Sequence, residues 1–480
     1  MRCIAVWLAA FVAVSPGTAA LAEDWPQLQK NPGHTGCTED QPDPPYRLKW
    51  TFEVVEPTHT GSPPIVAAGK VYFGTNWGNL IAVDLETGKE VWRYTTGSVI
   101  FGTPAFEDGI VYANSMDSRC HAVAATDGSR LWTFETEEGI LAGPVVADGK
   151  VFIAGRDGFV YGVEAKTGAQ VWRSPIGGPV MATPAYDRGV LYVGGGDNRV
   201  YALNGQSGEP LWKSSKLPGM AIRDYWLVAS GGSVIVSTQP VRGAHAVHHQ
   251  LDQALMAPFR EKSHGKMLVQ DELLEQVRAW YAEHPYHKTF HVLNAADGKE
   301  KFVAPIVHVH GGGCTGPLPV IGPDGYAYVV YALVRINASG WAFVGKLDLS
   351  SGKLAPLIKD RYWIDKNEWE WQAKPGTTLD RHSPFAVGFC VSDQSWGLAR
   401  GGDKVFAVRD AGWAGGRAAY GYIDLKTGED GWLEGAESPE IARGGSYGMA
   451  FHATASPMVI TGRYLIHRTA RNVLLCLEGQ

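Results

Sequence analysis

The run Gly189-Val-Leu-Tyr-Val-Gly-Gly-Gly-Asp-Asn-Arg-Val-Tyr-Ala-Leu-Asn204, closed by Gly208-Glu-Pro-Leu-Trp212, carries the period of the whole chain. Its apolar runs are too short for a core helix and are broken by Gly, Asp and Asn, so they read as strands joined by tight turns. Trp212 is the last of four tryptophans, Trp92, Trp132, Trp172 and Trp212, spaced 40 residues apart. Gly69, Gly109, Gly149 and Gly189 keep the same spacing, and Pro63, Pro104, Pro144 and Pro184 follow at 41, 40 and 40. Self-similarity at this period marks a repeat architecture, and four short strands per unit make one propeller blade. The fixed register of the tryptophans predicts packing between blades rather than ligand contact.

Working outward, blades one to four run from Gly61 to Trp212. Blade five begins at Tyr225-Trp-Leu-Val-Ala-Ser and Ser233-Val-Ile-Val-Ser, is interrupted, and resumes at Thr289-Phe-His-Val-Leu-Asn and Lys301-Phe-Val. Blade six follows from Gly316-Pro317 to Gly352, blade seven from Ser383-Pro384 to Gly428 with Trp432 in the tryptophan register, and blade eight from Ser456-Pro457 to Leu477. Blade eight lacks an outer strand, and Arg47-Leu-Lys-Trp-Thr-Phe-Glu53 can supply it, with Trp50 preceding Trp92 by 42. Pairing the first strand with the last blade closes the ring and leaves no open edge between first and last blades. The expectation is an all-β, eight-bladed propeller of four-stranded antiparallel blades over residues 47–480. The insertion at 243–288 is partly helical, since Leu273, Leu274, Val277, Trp280 and Tyr281 recur at helical spacing. A helix there reads as a lid or rim, with His245, His248, His249 and His264 in its solvated flank.

Composition agrees. Gly is abundant at 59 and charged residues are few at 19%, which suits many tight turns. A net charge of −6 gives no basic footprint for nucleic acid. Residues 1–22 contain one Arg, an apolar stretch from Ile4 to Val14 and the ending Ala20-Leu21-Ala22, which reads as a signal peptide. No later stretch reaches the length of a membrane span. The expected mature protein is a periplasmic or secreted monomer. Its five remaining cysteines, Cys37, Cys120, Cys314, Cys390 and Cys476, have no metal-like spacing and allow at most two disulfides. Cys476 shares the register of Ala202 and is expected as a buried thiol.

Residues 23–46 form an N-terminal arm expected to lie across the propeller: Asp24-Trp-Pro-Gln-Leu-Gln is followed by Asn31-Pro-Gly-His-Thr-Gly36. This W-P-x-x and H-T-G leader, together with the 40-residue units, resembles the pyrroloquinoline-quinone (PQQ)-like repeat proteins, in the quinoprotein alcohol dehydrogenase-like superfamily. The resemblance implies eight blades and, often, export. Quinoprotein alcohol dehydrogenases of this kind hold PQQ between a tryptophan and a disulfide of adjacent cysteines, over a calcium bound by acidic and amide side chains. This chain has no Cys-Cys pair, and Asp224 is its best single acidic candidate. Neither PQQ with calcium nor a transition metal is supported by a complete motif, and the repeat alone does not imply the cofactor.

Ligand sites of propellers lie at the central funnel, among the loops leading into each innermost strand. In blades two to four these are plain: Ile100-Phe-Gly-Thr, Ile140-Leu-Ala-Gly and Val180-Met-Ala-Thr. The others carry chemistry. His59 stands four before Pro63, His310 seven before Pro317, His382 two before Pro384 and His452 five before Pro457, all in the consecutive blades six, seven, eight and one. Blade five adds Arg223, Asp224 and Tyr225. Arg381 neighbours His382, and Trp363, Trp369 and Trp371 offer aromatic platforms. Clustered imidazoles can hold a metal or an anion or act as acid and base, whereas a single histidine before a strand is ordinarily a turn or core residue. Three function classes follow. The reading adopted is a propeller that binds a small molecule, glycan or protein at an asymmetric His- and aromatic-lined funnel. One alternative is a glycan lyase or hydrolase using His310, His382 and His452 with Tyr225 or Arg223; the other is a PQQ-dependent dehydrogenase.

Overall fold

A computed structural model of the protein describes residues 23–59, 62–223, 225–240, 270–306, 318–336, 339–357, 362–364, 371–373, 387–388, 397–410, 418–433, 456–468 and 472–480. Eight small antiparallel sheets succeed one another along the chain. Blade one shows the pattern: Ile65–Ala67 innermost, then Lys70–Gly74, Asn79–Asp84 and the outer strand Glu90–Thr95. The 40-residue glycines sit in the two-residue turns after each innermost strand. There Ala68-Gly69, Asp108-Gly109, Asp148-Gly149 and Arg188-Gly189 all have positive φ at both positions, the geometry that matches the twist of paired strands and favours Gly second.

The tryptophans tie blade to blade. Each indole Nε1 donates to a carbonyl of the next blade: Trp50 to Leu85 at 2.8 Å, Trp92 to Ala125 at 3.0 Å, Trp132 to Ala165 at 3.0 Å, Trp172 to Gly205 at 3.1 Å and Trp212 to Ala295 at 2.9 Å. The ring lies on the glycine of the next blade's outer turn, where a Cβ on Gly128 would sit 2.7 Å from Trp92. Trp and Gly therefore repeat together because one needs the other's missing side chain. Closure occurs as expected, with Arg47–Glu53 pairing with Val473–Glu478 and Trp50 opposite Cys476. Cys476 is fully buried and, with Cys37 and Cys120, carries a free thiol; Cys314 and Cys390 lie outside the described residues.

One expectation changes in detail. Blade seven does not open at Ser383-Pro384, because its innermost strand is Leu398–Gly401. Gly397-Leu398 takes the register that Pro63-Pro64 holds in blade one, so no proline marked it. In blade six the middle hairpin is longer than a blade requires, Tyr326–Ile336 against Ser339–Asp348. The helix in the blade-five insertion is Gln270–Glu283, with Leu274, Val277, Trp280 and Tyr281 buried. It packs on the outer strand Leu354–Pro356 of blade six, where Arg278 donates to the Gly352 carbonyl.

The arm does more than lie across the ring. Its backbone or side chains meet the innermost strand of every blade in turn. Trp25 exchanges two bonds with Val66, 2.7 and 2.9 Å; Phe106 N donates to Pro26 at 2.8 Å; Gln27 takes both polar groups of Val146 at 2.8 and 2.9 Å. The amides of Tyr186, Ala229, Ile321 and Arg400 donate to the carbonyls of Pro32, Gly33, Thr35 and Gly36 at 2.8, 2.9, 2.8 and 2.9 Å. At blade eight Thr461 Oγ1 donates to the Glu23 carbonyl at 2.8 Å. The innermost strands of blades one to seven thus satisfy one amide each from the arm, and that of blade eight is held through the Thr461 hydroxyl.

Replacing Gln27 by Ala strands the Val146 amide and carbonyl in a buried site and is expected to cost about 1–3 kcal/mol, read as a lower denaturant midpoint. His34 adds a pH test. Its Nδ1 lies 2.7 Å from the Leu227 carbonyl, and burial pushes its pKa from 6.5 down to about 4. The unfolded chain therefore binds more protons in this window, so stability falls as pH drops from about 6.5 towards 4. His34→Gln keeps a donor and should flatten that limb in midpoints measured from pH 7.5 to 4.5; an unchanged limb would show that His34 does not titrate with unfolding.

Candidate funnel site

The arm decides which mouth of the channel is available. It docks beside the turns that follow the innermost strands, where Asp24 Oδ2 accepts from Ala68 N at 3.2 Å and Asp40 Oδ2 accepts from Gly462 N. The loops leading into the innermost strands lie at the opposite face.

In blades two to four these loops are closed by repetition. Ile100, Ile140 and Val180 are fully buried, and Ile100 fills the space that Gly74 leaves, where an added Cβ would come within 2.3 Å. Asp117 Oδ2 accepts from Gly97 N at 2.8 Å, and Asp157 Oδ2 from Glu137 N at 3.0 Å. Tyr161 and Tyr201 donate to Asp157 and Asp197 at 2.7 Å. In blade two His121 takes the tyrosine's place, Nε2 3.0 Å from Asp117 Oδ2. Its pKa is lowered by burial in spite of the carboxylate, which fits a latch rather than a catalytic base.

Of the residues singled out from sequence, His59 is half-buried, its ring edge-on to Phe101 at 5.2 Å between centroids. Arg223 is exposed. Tyr225 is buried, edge-on to Trp226 at 5.8 Å and in one apolar cluster with Leu28 of the arm. Trp363 and Trp371 lie on a two-stranded hairpin, Tyr362–Ile364 with Trp371–Ala373, Trp371 pairing with Ile364. His310, His382, His452, Asp224, Arg381 and Trp369 lie outside the described residues.

One group was missed. The second strand of blade eight carries Ile466-His467-Arg468 at the register where blades one to five carry Tyr72-Phe-Gly74, Tyr112-Ala-Asn114, Phe152-Ile-Ala154, Tyr192-Val-Gly194 and Ile235-Val-Ser237. His467 and Arg468 are 3% and 2% exposed. Arg468 Nη2 donates to the His59 carbonyl, joining blade eight to the lead-in loop of blade one. Burial, then the neighbouring guanidinium, push the His467 pKa down to about 3, so this imidazole is neutral. The same 40-residue register that shows the tryptophans would have shown this pair, had the strand ends been compared as well as the loops.

Among the described residues no group of three or more His, Cys, Asp and Glu is arranged to hold a metal ion, and no adjacent cysteines exist to stack on a quinone. The residues described do not fit PQQ with its calcium.

The family profile described as outer membrane protein assembly factor BamB matches residues 46–141 and 117–246. Solved structures with the same fold include BamB from Moraxella catarrhalis, 12% identical, with a TM-score of 0.52 over 91% of this chain and 98% of that one. Quinohemoprotein alcohol dehydrogenase from Comamonas testosteroni is 15% identical, with a TM-score of 0.56 over 97% and 82%. That from Pseudomonas putida HK5 is 14% identical, with a TM-score of 0.54 over 95% and 80%. A comparison with curated protein sequences finds no match. Residues 46–246 thus match this repeat family, and the eight blades closed by the N-terminal strand share the propeller fold of these structures.

Proposed function

We infer that the protein is an exported propeller that binds a small-molecule, glycan or protein ligand on the face opposite its arm, and that binding rather than catalysis is its task. The observation that carries this reading is the asymmetry of that face. Blades two to four present short, internally latched loops there, whereas the loops of blades one and five carry His59 and Arg223, and the buried Arg468 of blade eight donates to the His59 carbonyl. The arm occupies the other face along all eight innermost strands. Export is supported by the apolar segment Ile4 to Val14 with its Ala20-Leu21-Ala22 ending. Among the described residues no helix is long and apolar enough to cross a membrane.

A dehydrogenase reading has the fold in its favour but lacks the paired cysteines. A glycan-active reading rests on His310, His382 and His452, which the described residues do not include, and on Tyr225, whose ring is packed in the core.

The test is a thermal-shift screen of the full chain against sugars, organic acids and glycan fragments, repeated with His59→Ala and Arg223→Ala. A ligand that stabilises the protein should lose at least tenfold affinity in one variant while both keep the melting profile of the parent. A ligand indifferent to both substitutions would place binding elsewhere and overturn the reading. Addition of PQQ, calcium and an alcohol with a reducible dye is expected to give no dye bleaching.

A further inference from the structure

Arg468 is the most anomalous side chain of the ring. At its register blades one to five carry Gly74, Asn114, Ala154, Gly194 and Ser237, and the small residue at 74 is what lets Ile100 of the next blade pack in. Blade eight instead buries a guanidinium at that seam, 2% exposed. Nη2 donates to the His59 carbonyl, while Nη1 is buried with no hydrogen-bond partner. No carboxylate is paired with it among the described residues. Desolvation lowers its pKa only to about 10, so the charge persists at neutral pH. Buried charges in proteins are ordinarily paired, and an unpaired one is strongly unfavourable.

The hydroxyls beside it in register show the same lack. Ser456 and Ser62 occupy equivalent positions just before the innermost strands of blades eight and one, where blades two to four have Gly102, Ala142 and Ala182. Thr103 follows in blade two. Ser456, Ser62 and Thr103 are all buried, and the Oγ of each is without a partner. Among the described residues, three consecutive blades therefore carry unsatisfied buried hydroxyls, and blade eight a buried guanidinium with no carboxylate partner. Neutral His467 adds no counter-charge. An acceptor-only group with a negative charge can take hydrogen bonds from a guanidinium and from hydroxyls alike.

We propose that Arg468, with the hydroxyls of Ser62 and Ser456, forms a binding site for a small oxyanion at the seam of blades eight and one. The ligand class is an organic carboxylate or an inorganic oxyanion, which present the same acceptor oxygens. This deepens, and rests on, the assignment of the funnel face as the binding face.

The experiment measures melting of the full chain in sodium chloride, acetate, phosphate and sulfate at equal ionic strength, for the parent, Arg468→Met and Ser456→Ala. The parent is expected to melt several degrees higher in at least one oxyanion than in chloride; a rise confined to acetate identifies a carboxylate site, and one confined to phosphate or sulfate an inorganic one. Arg468→Met keeps the volume without the charge. It should melt at or above the parent in chloride and lose the oxyanion-specific rise, which also removes the general stabilisation by sulfate from consideration. Ser456→Ala should fold normally and bind the oxyanion at least threefold more weakly, and it carries the test if Arg468→Met does not fold. Equal melting of the parent in all four salts, or a rise retained in the folded variants, overturns the site. Because the His59 and Arg223 variants read the face independently, failure here leaves the broader assignment standing if those variants lose a ligand.

Discussion

An indole laid on a glycine of the neighbouring blade, with its N–H on that blade's carbonyl, is the contact on which the ring depends. It recurs from Trp50 to Trp212, and between blades five and six Phe302 lies on Gly352 without the polar bond. Each of these six contacts buries a large apolar surface and fixes one rotation between sheets, so the angle between those blades is set locally. The buried clusters follow this logic, because each draws on neighbouring blades. One joins Trp50 of the closing strand to Val71 and Val83 of blade one.

Structure and function are divided unequally around this ring. Blades one to four hold the period and the matched turns, and blades two to four the latched aspartates. The lead-in loops of blades two to four are filled by Ile100, Ile140 and Val180 and leave little room for chemistry. The regular beat ends at blade five, where a helix is inserted, and the seam that the closing strand makes buries a guanidinium where blades one to five have small residues. A repeat array tolerates such local departures because each blade answers only to its neighbours.

Much of this was legible in the sequence, for physical reasons. Trp92 to Trp212 and Gly69 to Gly189 are single-residue requirements of packing and of positive φ, so they print the period directly. The closing strand was found from Trp50, and the buried state of Cys476 from its register. Blade seven was harder, since Leu398 stands where proline stands in blade one, and the Ser383-Pro384 pair lies ahead of the strand. Tyr225 was singled out by its loop position, yet its phenol ring packs beside Leu28, a contact that only the docked arm creates. Arg468 escaped notice because it ends a strand rather than beginning a loop. The path of the arm along every innermost strand could not be read at all, since backbone pairing leaves no pattern in side chains.

That arm, together with the closing strand, also sets the order of assembly. Residues 23–53 are paired with strands as distant as Val473–Glu478, and the arm touches every blade between. These contacts span nearly the whole chain, the kind that form slowly because a long loop must be closed before they are rewarded. During synthesis the first blades can form from local hairpins, but the leading segment has to wait for blade eight to exist. The segment ahead of the first blade is thus the last to be fully bonded, and until then the innermost strands present bare amides to whatever strand comes near.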